Sequence, residues 1–176
     1  GIGPGHVRHA GTGVTNIGTI KADMAKAKLC AKALEEAGFE VSVKDDVMAV
    51  IWHKVFVNVA INAITALLEQ ENGFIADNKY AHEAARLLVS EAVDVAMAGG
   101  CKFDKEAEIE NAFNVALATA TNKSSTLQDI LSKKQTEILI INGAVSKTGR
   151  EHNIPTPYND LIVQLVSAKQ SVYLGR

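Results

Sequence analysis

Trp52 to Asn62 reads WHKVFVNVAIN. Beyond His53, its polar side chains are Lys54, Asn58 and Asn62, set among Val55, Phe56, Val57, Val59, Ala60 and Ile61. An α-helix turns about 100° per residue, so a step of four drifts only about 40°. The three groups therefore share one narrow stripe of a helix that is otherwise almost wholly apolar. A surface helix would carry a broad charged face instead. The spacing predicts a largely buried helix with one ammonium and two amides along one edge. Asp45 and Asp46 supply acidic N-terminal signals for it, and Asn72-Gly73 supplies a turn beyond Leu68.

Outward from this helix, the pattern stays helical. Residues 23–37 read as an amphipathic helix stopped by Gly38. Phe39 to Val43 alternate as a short strand. Further helices are expected over 80–98, stopped by Gly99-Gly100, and over 104–119, started by Asp104. A long helix is expected from about Thr126 to His152, and a last one from Tyr158 to Tyr173, after Pro155 and Pro157. Residues 5–20 read as two short strands around a Gly-Thr-Gly turn, that is, a hairpin. Six or seven helices, a weak strand and an opening hairpin make a mainly α fold, a compact bundle-like helical domain.

Six of the 13 glycines lie in the first 18 residues, and the composition turns Ala-rich near Lys21. The expected border separates residues 1–21, terminal strands of a preceding domain, from a helical domain over residues 22–176. GIGPGH at the start lacks the strand, the GxGxxG spacing and the helix of a dinucleotide fingerprint, and reads as a turn.

Composition narrows the function. The 176 residues suffice for about one domain with a packed core. With 18 basic and 20 acidic residues, the net charge of −2 offers no field for nucleic acid. No run of 18 apolar residues suggests a membrane span, and no signal pattern opens the chain. Cytoplasm is the expected compartment, with Cys30 and Cys101 as reduced thiols. The five histidines, at 6, 9, 53, 82 and 152, form no metal-type pair, so no metal is expected.

Three polar places do not fit a plain core. The Lys54/Asn58/Asn62 stripe is either a solvated edge, extended by Thr65 and Glu69, or the wall of a pocket. Spacing alone leaves both open. As a pocket wall it would offer a lysine whose proton affinity responds to desolvation, and amides that both donate and accept. In TNKSSTLQDI, Ser124 or Ser125 can cap the following helix while the other binds a carboxylate. Glu137 is either the solvated side of its helix or a charge partner for Lys54.

Taken in order, these motifs resemble the C-terminal half of the ketopantoate reductases (2-dehydropantoate 2-reductases). The resemblance rests on W-x-K-x3-N-x3-N at Trp52, Lys54, Asn58 and Asn62, and on Asn72-Gly73 ten residues further. It continues with N-x-S-S at Asn122 to Ser125, L-Q-D-I after it, and T-E-I…I-N-G from Thr136 to Gly143. The resemblance implies a two-domain oxidoreductase reducing 2-dehydropantoate to pantoate, in pantothenate and coenzyme A biosynthesis. A Rossmann-type N-terminal domain would hold NADP(H), and this chain would be the helical substrate domain, inactive by itself.

By the same resemblance Lys54 and Glu137 are catalytic. Lys54 stabilises and protonates the carbonyl oxygen, and Glu137 orients Lys54 or contacts the substrate. Asn58 and Asn62 hold the substrate hydroxyl, Ser125 and Asn122 the carboxylate end, and Asn72 completes the pocket. Ala63 stands where the family often has Pro, and Thr126 where Met is common. These departures leave room for another 2-oxo acid. The implied partners are a small 2-oxo acid and the nucleotide domain, with oligomeric state open, homo-oligomer included. The competing expectations are the helical domain of a related hydroxyacid dehydrogenase, or a non-catalytic helical dimerisation module.

Overall fold

The computed structural model describes residues 3–7, 9, 11–20 and 23–175. Among these residues are two strands and eight helices, so the fold is mainly α. The compositional border near Lys21 lies outside the described residues. The chain divides into two compact units, residues 1–50 and residues 51–176.

The first unit contains β1 (Thr15–Ile17), α1 (Met24–Glu36) and β2 (Val41–Val43). The strands run parallel, with Thr15 opposite Val41 and Ile17 opposite Val43. The expected hairpin within residues 5–20 is therefore corrected. Parallel neighbours need a crossover, and α1 provides it. The Gly-Thr-Gly segment does not fold β1 back; its partner lies beyond a helix, bonded through Thr15 N–H to Glu40 O (2.8 Å) and Lys44 N–H to Ile17 O (2.7 Å). Gly38 ends α1 as expected: at φ +89° its backbone is left-handed, which suits a residue without Cβ. α1 thus packs with the two strands within residues 1–50.

Helix α2 (Val47–Leu68) starts at the border of the units and carries the stripe. Its length and composition would allow it to cross a membrane. Its side chains give it another role: Phe56, Val59, Ala60 and Ala63 are completely buried. Phe56, Val59 and Ala60 pack with Leu88, Val89, Ala92 and Val93 of α4 (Lys79–Ala98) and with Ile109 and Ala112 of α5 (Lys105–Ala118). The helix starts follow local chemistry. Asn78 accepts from Tyr80 N–H and Ala81 N–H, and Asp104 accepts from Glu106 N–H and Ala107 N–H.

Helix α8 (Pro157–Leu174) begins with Pro in its first turn. Its exposed amides are met from another helix. Buried Glu91 of α4 accepts from Tyr158 N–H (2.9 Å), Asn159 N–H (2.9 Å) and Asn159 Nδ2 (2.8 Å). A carboxylate at a helix N-terminus is favoured both by these bonds and by the helix dipole.

The expected single helix from Thr126 to His152 is two: α6 (Ser125–Leu131) and α7 (Asn142–His152), joined by a loop. Thr136 explains much of the break. Its N–H and its hydroxyl both donate to Gln170 Oε1 of α8, each at 2.9 Å. A threonine engaged this way competes with the helical ladder. The loop buries Ile138 against Ala63, Val163 and Val166, while Leu139 and Ile140 face outward. A short α3 (Phe74–Asp77) follows the Asn72-Gly73 turn.

Candidate functional site

Lys54, Asn58 and Asn62 all lie on α2, in the second unit. They differ in depth. Lys54 is exposed, Asn58 half-buried and Asn62 buried. At about 1.5 Å per residue, the stripe spans roughly 12 Å and descends from solvent into the packed interior.

The buried end meets α6. Asn62 Nδ2 donates to Ser125 Oγ at 3.4 Å. Ser124 is the serine that caps: its Oγ accepts from Leu127 N–H at 3.2 Å. That leaves Ser125 exposed beside it. One turn beyond Asn62, Thr65 is wholly buried, with its hydroxyl 2.8 Å from that of Ser124. Thr65 thus does not continue a solvated edge. Its hydroxyl donates to Ile61 O at 2.7 Å, and the facing partner is a serine from the start of α6. A threonine three residues after Asn62, with the serine pair downstream, was the available sequence sign.

Asn72 and Asn122 also come together. Asn72 N–H donates to Asn122 O (2.9 Å) and Gly73 N–H to Ala120 O (3.0 Å). Gly73 is needed for this approach, since a Cβ there would stand 2.8 Å from that of Ala120. The Asn72 side chain is buried. Its Nδ2 donates to Thr119 Oγ1 (3.0 Å), while its Oδ1 has no hydrogen-bond partner among the described residues. The Asn72-Gly73 turn therefore staples the segment after α2 onto the segment before α6.

Glu137 lies on the loop before α7 and is exposed. Its carbonyl accepts from Ile140 N–H and Ile141 N–H. Among the described residues, neither Lys54 nor Glu137 enters an ion pair. The structure thus joins Asn62 with Ser125 and Asn72 with Asn122, and leaves Lys54 and Glu137 apart as solvated groups.

Two clefts open nearby. One, of about 560 Å³, has Glu69, Glu71, Asp77 and Lys123 on its walls; another, of about 540 Å³, is lined by apolar residues such as Leu67, Leu161 and Leu165. No candidate residue lines either. At the end of α2, Lys169 Nζ donates to Leu67 O and Glu69 Oε1, both at 2.8 Å. That hydrogen bond from the ammonium holds the Glu69 carboxyl below the usual carboxylate range.

His53, outside the stripe, places Nδ1 2.7 Å from Glu108 Oε2 of α5 and its ring edge-on to Phe103. That pair gives buried Glu108 its partner and ties α2 to α5. No group of three or more His, Cys, Asp or Glu residues suited to a metal occurs among the described residues.

Chemically, the set is a row of donors. Ser125 Oγ accepts from Asn62, so its own proton points elsewhere, and Asn58 and Lys54 add amide and ammonium donors along the same edge. A row of this kind suits a small molecule rich in acceptors, such as an oxo acid. The pattern described as "Ketopantoate reductase PanE/ApbA C terminal" matches residues 46–170, and the chain belongs to that family.

Named relatives agree. The 2-dehydropantoate 2-reductase of Archaeoglobus fulgidus is 37% identical over 168 residues, 95% of this chain and 56% of its own length. That of Pyrobaculum aerophilum is 41% identical over 142 residues, 81% of this chain and 50% of its own. The chain spans about half the length of these curated relatives. Among solved structures, a PanE/ApbA family ketopantoate reductase from Ralstonia eutropha superposes with a TM-score of 0.85 at 29% identity, covering 98% of this chain and 56% of that one. A D-mandelate dehydrogenase in complex with NADH gives 0.86 at 26% identity, covering 93% and 56%.

Proposed function

We propose that this chain is the substrate-binding and catalytic part of an NADPH-dependent reductase that converts 2-dehydropantoate to pantoate, a cytoplasmic step of pantothenate and coenzyme A biosynthesis. The observation that carries the reading is the meeting of Asn62 with Ser125 at the buried end of a stripe that begins with Lys54.

The residues fit the substrate half of the reaction. Lys54 would face the keto oxygen, where an ammonium stabilises the charge that develops and delivers its proton from Nζ. Glu137 would come to orient that ammonium. Asn58 and Asn62 would hold the substrate hydroxyl, and Ser125, with Asn122 beside it, the carboxylate. Asn72 would act mainly by bracing Asn122. The described residues carry no dinucleotide fingerprint, so the nicotinamide, which supplies hydride when bound, would sit on a separate Rossmann-type domain. Residues 1–50 would belong with that domain. Two paired strands are too few to be stable alone and would extend a larger sheet.

The test is turnover by the chain joined to its nucleotide domain, followed through NADPH absorbance with 2-dehydropantoate. Lys54→Ala should lower kcat/KM by about 10³ or more while the fold survives; near-wild-type turnover would refute the reading. The helical chain by itself should bind NADPH negligibly in calorimetry. A second reading, a hydroxyacid dehydrogenase using NADH, is favoured by the superposition on D-mandelate dehydrogenase. Faster turnover of the 2-oxo acid corresponding to mandelate, with NADH, would select it.

A further inference from the structure

We infer that Thr65 is a positioning residue for the substrate edge: its hydroxyl sets the register between α2 and α6 in which Asn62 and Ser125 face the ligand together. The inference rests on the oxo acid reductase reading above.

The geometry is a directed chain of hydrogen bonds. Leu127 N–H donates to Ser124 Oγ at 3.2 Å. The Ser124 and Thr65 hydroxyls are 2.8 Å apart. Thr65 Oγ1 lies 2.7 Å from Ile61 O, one helical turn back, and spends its single proton there. The proton between the two hydroxyls must then come from Ser124. The chain runs from the first turn of α6 to the backbone of α2, where Asn62 O is a second, longer acceptor for the Thr65 hydroxyl at 3.3 Å. Thr65 is completely buried, at 0% accessibility, and Ser124, at 6%, is buried as well.

This buried contact stands beside the one that faces outward. Thr65 follows Asn62 by three residues on α2, and Ser124 precedes Ser125 at the start of α6. Two parallel contacts therefore join the helices, one at 2.8 Å and one at 3.4 Å. The longer is close to the limit for a hydrogen bond and cannot hold the register by itself. Apolar packing of Ala66 with Leu127 and Ile130 keeps α6 attached, but such contacts have no direction and tolerate small slides. The backbone bonds of Asn72 and Gly73 to Asn122 O and Ala120 O hold the segment before α6, and the hydroxyl pair is the short directional contact right beside the point where Ser125 meets Asn62. A ligand spanning both groups senses an error there of a fraction of an ångström.

The experiment uses the intact two-domain protein. Thr65→Val keeps the shape and removes the hydroxyl; Thr65→Ser keeps the hydroxyl. Ser124→Gly opens the same contact from α6 while largely retaining the helix cap. Thr65→Val and Ser124→Gly should raise KM for 2-dehydropantoate about tenfold, with kcat within about threefold, and Thr65→Ser should restore KM to within about twofold. A merely structural role would reduce the folded fraction, so kcat would fall at unchanged KM. That result, or wild-type kinetics in both Thr65→Val and Ser124→Gly, overturns the inference alone. A wild-type protein that reduces no 2-oxo acid overturns the reductase reading and the inference with it.

Discussion

The two ends of α2 carry polar groups in opposite settings. At the C-terminal end, Asn62 and Thr65 are buried, and each meets a serine at the start of α6. At the N-terminal end, Lys54 stands in solvent, with no ion-pair partner among the described residues. Groups that only orient a ligand gain from being locked in place before it arrives, because less entropy is then lost on binding. A group that is to act on the substrate has to reach it, and Lys54 is the exposed member of the stripe. On the proposed reading, the difference separates orientation from chemistry along one helix.

The comparison can be broken at either end. Lys54→Ala should have the largest effect on catalysis, a loss of about 10³ in kcat/KM, yet change stability by less than about 0.5 kcal/mol, since an exposed side chain is removed. A comparable loss of stability, seen as a shifted denaturation midpoint, would show that Lys54 is structural. Glu91→Ala is the opposite case. It strips the buried donors at the start of α8 of a shared carboxylate, and about 2–4 kcal/mol should be lost in urea denaturation. KM should be unaffected, as Glu91 lies outside the candidate set.

Asn62→Ala should sit between the two. About 1 kcal/mol of stability should go, with KM raised about tenfold, because its amide serves both the α6 contact and the ligand edge. An effect on kcat alone would move Asn62 from the orienting end to the chemical end.

The smallest effect is expected at Lys169. Its hydrogen bond depresses the Glu69 carboxyl, so the folded protein binds fewer protons there than the unfolded chain. The contribution is present above the ordinary carboxylate range, about pH 4, and is lost as pH falls through the lowered value. Lys169→Met should remove that portion of the acid limb. Denaturation midpoints of the variant and the parent should differ near neutrality and converge in strong acid.

Much of the fold was legible because its signals are local. Gly38, Asp104 and Gly99-Gly100 mark helix ends by their own backbone or capping chemistry, and α1, α2, α4, α5 and α8 lie close to where periodicity puts them. The failures share a cause. The hairpin gave way to a parallel pair because β1 found its partner beyond α1, at Val41. The long helix from Thr126 to His152 broke because Gln170, 34 residues further along, captures Thr136. Neither partner can be inferred from the segment it changes. The kinds of candidate residues were legible too, but their depth was not: Thr65 reads as an extension of a solvated edge and is wholly buried.

The sequence by itself determined that residues 47–68 make an apolar helix with Lys54, Asn58 and Asn62 on one edge, because side-chain periodicity is a property of the helix alone. Which part of that edge is buried was decided only by the tertiary structure. Burial depends on what packs over the helix. At Asn62 and Thr65 that is α6, brought there by the stapling of Asn72-Gly73 onto residues 120–122 and by the hydroxyl contact with Ser124.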